Sequence, residues 1–218
     1  MANCVISVVP ASVMVASTQA MLLTTKRLKP RFWLPITSAA RCAVLLASLG
    51  CHATRFRAGS KKASTLPPLE QTLAPAQAGE VLECDELWSF VARRKNKRWV
   101  WLVMCRRTRQ IVAYALGDRS EATCRLLWQR IPLAYRQGWF YTDFWDSYQT
   151  VRPQEQHRPT GKGSGQTNHI ERWNNTLRQR LARFVRKTLS FSKCDFMHDI
   201  CLQLFLHDYN RQCLLRLR

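Results

Sequence analysis

The chain has 218 residues and a formal net charge of +20, from 34 Lys and Arg against 14 Asp and Glu. That balance excludes an acidic solvating chain and points to a polyanionic partner, nucleic acid before an anionic membrane surface. Hydrophobic residues make up 46% with 8 Trp, enough for a sizeable core in one domain with an appendage. Residues 1–60 form an atypical segment without sustained helical or strand periodicity. Its opening "MANCVISVVPASVMVASTQAMLLTT" has no charge before Lys26, the reverse of a secretory signal. Its later run "FWLPITSAARCAVLLASLG" is broken by Pro35 and Arg41, which argues against a membrane span. Residues 61–79, "KKASTLPPLEQTLAPAQAG", read as a Pro-containing linker.

Regular patterning starts at residue 80. "EVLECDELWSFVAR" predicts a strand, "RKNK" a turn, "RWVWLVMCR" a second strand, "RTR" a turn and "QIVAYALG" a third strand. "SEATCRLLWQRI" predicts a helix capped by Ser120. "GWFYTD" is a short buried strand, "FWDSYQTV" a short helix, "EQHRPT" a weak strand and "GKGSGQTN" a loop. The stretch from Gln166 to Lys193 reads as an amphipathic helix with Ile170, Trp173, Leu177, Leu181 and Phe184 on one side. The order β-β-β-α-β-α-β-α describes an α/β, RNase H-like mixed sheet over residues 80–218, three antiparallel strands plus parallel strands, flanked by helices and ending in basic C-terminal helices. The nine Cys form no CxxC pair, so free thiols in a reducing cytoplasm are expected. Cys84, Cys105 and Cys124 sit among apolar residues as core fillers.

Three acids stand where such a sheet gathers its ligands. Asp85 is central in the first strand, with Glu83 and Leu87 on its face and Cys84 and Glu86 on the other. Asp143 ends the fourth strand, where sheet ligand sites commonly lie. Glu171 is the lone acid between Glu155 and Asp195, amid Arg and Lys. Carboxylates from separate elements suit Mg²⁺ and two-metal phosphoryl chemistry. Each has a plainer role too: an Asp at a strand end turns the chain, and a Glu in a first helical turn meets the helix dipole. Glu83, Glu86 and Asp146 compete with them, and spacing alone leaves that choice open.

The motifs "ECDELWSFV", "KNKRWVWL", "GDRSEAT", "YTDFWDSY", "TNHIERWNNTLRQRLARFVRKTLSFSK" and "HDYN" resemble the transposases of the insertion-sequence-one family, which are DDE-type enzymes. The resemblance runs over residues 61–210. It implies an RNase H-like catalytic domain, Mg²⁺ (or Mn²⁺) and transposition of a short bacterial element in the cytoplasm, at the nucleoid. It places the family's catalytic and metal-binding triad on Asp85, Asp143 and Glu171. The family pattern matches at His169, Ile170, Glu171, Arg172 and Asn174, and "LRQR" at Leu177, Arg178, Gln179 and Arg180. Full-length relatives also carry a Cys-rich zinc segment and a helix-turn-helix. Neither is visible in residues 1–60, which suggests an alternative-frame reading of the upstream gene.

The expected activity is metal-dependent cleavage at the ends of the element and strand transfer into target DNA, by a homo-oligomer on DNA and without a membrane. The alternatives are an RNase H-like nuclease without strand transfer and a truncated, non-catalytic DNA-binding repressor. DNA contacts are expected from Arg172, Asn175, Arg178, Arg180, Arg183, Arg186 and Lys187. Asn175 and Arg178 either orient Glu171 or contact phosphate. Trp173 reads as core, and His169 as polar surface or a phosphate contact.

Overall fold

The structure, a computed structural model, describes residues 61–161 and 163–217 together with Gly59. The segment read over residues 1–60 otherwise lies outside the described residues. The elements are β1 (Val81–Val91), β2 (Arg93–Cys105), β3 (Ile111–Gly117), α1 (Glu121–Arg130), α2 (Leu133–Arg136), β4 (Trp139–Thr142), α3 (Asp146–Val151), β5 (His157–Pro159), α4 (Asn168–Arg180) and α5 (Asp195–Arg216). The strands form one sheet in the order β3-β2-β1-β4-β5. β1 pairs antiparallel with β2, and β2 with β3; β1 pairs parallel with β4, and β4 with β5. This is the mixed RNase H-like sheet that the order of elements predicts.

Strand alternation splits the core in two. Leu82, Cys84, Trp101, Val103 and Phe140 face α1, α2 and α3, where Leu127, Ile131, Tyr135 and Tyr148 meet them. Leu87, Val100, Leu102 and Met104 face α4 and α5, against Ile170, Trp173, Leu177, Leu202 and Leu206. Each such side chain contributes about 1.5–3 kcal/mol when fully buried. α1 lies very close to the sheet: a Cβ at Gly117 would collide with the Thr123 side chain. Cys84, Cys105 and Cys124 are buried free thiols of the first core. Burial pushes Cys84 up to about 11 and Cys124 up to about 12, so they pack rather than react.

Several elements differ from the sequence expectation. The first hairpin turns at Ala92, not over 94–97: Ala92 has φ 61, and its N–H donates to Ser192 O at 2.8 Å. Residues 93–97 belong to β2, with a register shift that pairs Phe90 with Lys97 and Val91 with Arg93. Ser120 occupies the cap position of α1, but its hydroxyl bonds Asp118 instead of capping. The helix expected to run to Lys193 stops at Arg180. A short 3-10 turn (Ala182–Phe184) follows, and the chain folds back so that Phe184 stacks on His198, Phe191 meets Phe90 and Ser192 bridges to Val91. These tertiary contacts override the helical pattern. α5 is not basic: it carries Asp195, Asp199 and Asp208 against Arg211 and Arg216.

The segment before β1 is strapped to the domain. Thr72 and Ala74 are buried. Gln110 Nε2 donates to Thr72 O at 2.7 Å, and Ala74 N donates to Gln110 Oε1 at 2.8 Å. Asn210 on α5 completes the knot. Its Nδ2 donates to Thr72 Oγ1 at 2.9 Å and to Ile111 O at 3.0 Å, and its Oδ1 accepts from Ile111 N at 2.9 Å. The amide thus takes both backbone groups of the first residue of the edge strand β3.

Candidate active site and nucleic-acid interface

β1 brings three acids to the sheet, with Glu80 just before it, and their surroundings differ sharply. Glu83 is fully buried and faces α4. It accepts from the N–H groups of His169 and Ile170, each at 3.1 Å, and pairs with Arg106 Nε at 2.8 Å. It therefore caps the amino end of α4 and fixes where that helix starts. Arg106 also donates to Gln166 of the preceding loop and covers the Tyr141 ring at 4.8 Å. Glu86, on the opposite face, takes two bonds from Arg119, at 3.1 and 2.9 Å. Arg119 lies on the Trp145 ring at 3.8 Å and the Trp99 ring at 4.8 Å, and stands 3.8 Å from Asp143. Glu80 pairs with Arg107.

Among the described residues, no arginine is in bonding contact with Asp85. Its Oδ2 accepts from Asn174 Nδ2 at 2.6 Å and its Oδ1 from Glu86 N at 2.8 Å. Burial, then the Glu86 carboxylate, push its carboxyl up to about 7, and Asp143 and Glu171 add to the rise. The carboxylates of β1, the β4 end and α4 therefore lie within electrostatic reach of one another. Asp143 follows Thr142 and is partly exposed; its Oδ1 accepts from Trp145 N at 3.1 Å, so it also turns the chain into α3. Glu171 is exposed in the first turn of α4, and its Oε1 accepts from Thr167 Oγ1 at 2.9 Å. Asp146 is exposed in the first turn of α3. Among the described residues, no three His, Cys, Asp or Glu stand close enough to share one ion as they are.

Arg178 is half-buried beside Asp85, with an Nε that is buried and unpartnered. Burial first and Arg186 second lower its pKa, and Asp85 opposes them. Arg172, Asn175 and Arg180 are exposed on α4. Arg183 is half-buried, and its charge acts on His198 and Cys201 of the α5 side. Arg186 and Lys187 are exposed, with Arg186 over the Trp88 ring at 5.3 Å. Lys97 approaches the same ring at 5.5 Å. Trp173 is 3% exposed and packs with Phe205 and Tyr209, the core role expected of it.

Sequence reasoning missed four parts of this site. The Asp85 partner is Asn174, and its signal was a polar residue in the apolar stripe of Ile170, Trp173 and Leu177. Arg106 and Arg119 left no local signal, because their acids lie on another strand. The exposed cations Arg94, Lys95 and Lys97 read from the sequence as a turn, and Arg93 as the end of the first strand.

An RNase H-like sheet with carboxylates at its centre and exposed cations around them defines a class: proteins that act on nucleic acid. Residues 80–211 match the model of the IS1 transposase family, and the chain belongs to that family. It is 35% identical over 129 residues to the insertion element iso-IS1n protein InsB of Shigella dysenteriae, covering 59% of this chain and 95% of that protein. It is 34% identical over 125 residues to the insertion element IS1 protein InsB of Shigella flexneri, covering 57% and 92%. The IS1 4 protein InsB of Escherichia coli K12 is likewise 34% identical over 125 residues, covering 57% and 72%. No helix among the described residues is long and apolar enough to cross a membrane.

Proposed function

We propose that this transposase cuts DNA at the ends of its element and joins the freed 3′-hydroxyls to target DNA, with Asp85, Asp143 and Glu171 holding Mg²⁺ or Mn²⁺, in the bacterial cytoplasm. The supporting observation is Asp85, a buried carboxyl raised to about 7 among other carboxylates instead of being neutralised by an arginine. The donor set fits a hard divalent cation, and a cation would relieve the repulsion acting on Asp85. Bound there, such ions supply Lewis-acid stabilisation of the phosphodiester and a lowered pKa for the attacking oxygen's proton. The protein's part is orientation. Asn174 fixes Asp85, Glu83 fixes the start of α4, and Thr167 holds Glu171 until a ligand competes. Arg178, Arg180, Arg186 and Lys187 with the tip of the first hairpin would follow the DNA backbone.

A strand-transfer assay with pre-cleaved element ends, Mg²⁺ and a plasmid target tests the reading. Joined products that vanish in Asp85→Asn, Asp143→Asn and Glu171→Gln are expected. Cleavage without joining would make the chain a nuclease, and binding without either reaction would make it a repressor.

A further inference from the structure

α4 has two polar flanks. Glu171 and Arg178, two turns apart, share the carboxylate side. His169, Arg172 and Thr176 share the other flank, which turns toward α5. There, Arg109 from the β2–β3 turn and Tyr209 from α5 close a cavity of about 290 Å³ with Trp173 in its wall. Its chemistry is cationic and aromatic, with no acid in the lining. Elsewhere in the domain Arg98, Arg106, Arg107, Arg119 and Arg136 are tied to acids or carbonyls. Among the described residues, the guanidinium groups of Arg109 and Arg172 and the imidazole of His169 make no hydrogen bond or ion pair. The Trp173 indole N–H is buried without a partner.

Arg109 adds a second observation. It sits at φ 61, a left-handed conformation that glycine or asparagine adopts more easily. An arginine there keeps a charge at the cavity despite the conformational cost. Tyr209 OH donates to Arg109 O at 3.0 Å and holds that backbone against α5.

We infer that this cavity is a nucleotide site: the two guanidinium groups take a phosphate, and the Tyr209 ring takes the attached sugar or base. It is far too small for a duplex, so its occupant is one nucleotide of an unpaired DNA strand. The site lies on the flank of α4 away from Glu171, so it holds DNA apart from the reacting phosphodiester. The inference rests on the nucleic-acid part of the function proposed above and not on the carboxylates.

Calorimetry on the full chain, with thymidine 5′-monophosphate and with a short single-stranded oligonucleotide, tests it. Arg109→Gly is the key variant, because glycine suits the left-handed backbone and the fold survives. Arg109→Gly and Arg172→Ala should each weaken both ligands about tenfold, the worth of one charged hydrogen bond. Arg125→Ala removes the same charge from α1 on the opposite face of the sheet and should change binding by less than about twofold. Equal losses in all three variants would reduce the cavity to general electrostatics and overturn the inference. Monophosphate binding that the oligonucleotide does not compete away would overturn the strand as occupant. None of these readouts needs cleavage, so failure here and failure of the triad remain distinguishable.

Discussion

Glu83 and Glu86 on β1 each meet an arginine, whereas Asp85 meets the amide of Asn174. Three acids within four positions of one strand are thus treated in two ways. The arginine-bound acids hold the scaffold: one caps α4, and the other anchors the Trp99–Arg119–Trp145 stack. Asp85 has no such partner and lies near other carboxylates, while burial raises the pKa of both Asp85 and Glu86. The difference separates acids that bond an arginine from Asp85, whose hydrogen bonds come from the neutral Asn174 amide and the Glu86 N–H.

The sharpest way to break this comparison is to neutralise each kind of acid. Asp85→Asn should lower Mg²⁺-dependent cleavage on the order of a thousandfold or more while the melting temperature holds or rises, because a buried charge is removed. A variant that keeps near-normal cleavage would take Asp85 out of the site. The α5 side offers a test without acids. His198 is buried between Ser89 and Ser192 and pushed down to about 4, first by burial. Its folded pKa lies below the unfolded 6.5, so the unfolded chain binds more protons between those values. Its contribution is full above pH 6.5 and is lost as pH falls toward 4, by on the order of 3 kcal/mol. Urea denaturation across that range should show the decline, and His198→Gln should flatten it.

Glu83→Gln comes next, with an expected loss of about 2 kcal/mol in denaturant unfolding, since it strands Arg106 and weakens the cap on α4. Unchanged stability would erase the distinction between Glu83 and Asp85. The smallest effect concerns the basic tail of the site. Arg186→Ala should reduce the slope of log affinity against log salt by about one, and Arg183→Ala by less, because Arg183 is half-buried toward α5. Equal slopes in filter binding would redraw the DNA path.

Much of the sheet was legible because its strands alternate cleanly and their turns are short. Asp85, Asp143 and Glu171 were selected by their positions on separate elements together with the motif resemblance. What stayed hidden depends on partners distant in sequence. Nothing local marks Arg106 as the counter-ion of Glu83. The end of α4 at Arg180 is decided by Phe184 reaching the core and Phe191 packing on Phe90, not by a glycine or proline. α5 was obscured because His198, His207 and Asn210 are buried among Ile200, Leu202 and Leu206, which blurs an amphipathic stripe. The stretch before β1 looked like a linker because its anchoring bonds come from Gln110 and Asn210.

The Asn210 knot also sets a timetable. Thr72 and Asn210 are 138 positions apart, so a ribosome needs roughly 7 to 28 seconds to make the second after the first. Until then Ile111 lacks the amide that closes the margin of β3, and the strap over Thr72 has nothing to tie to. The first residue of that border therefore stays open to neighbouring chains during the interval. A newly made copy is exposed to misassembly during that interval, and its maturation should depend on chaperones or slow synthesis more than the finished molecule's packing would suggest.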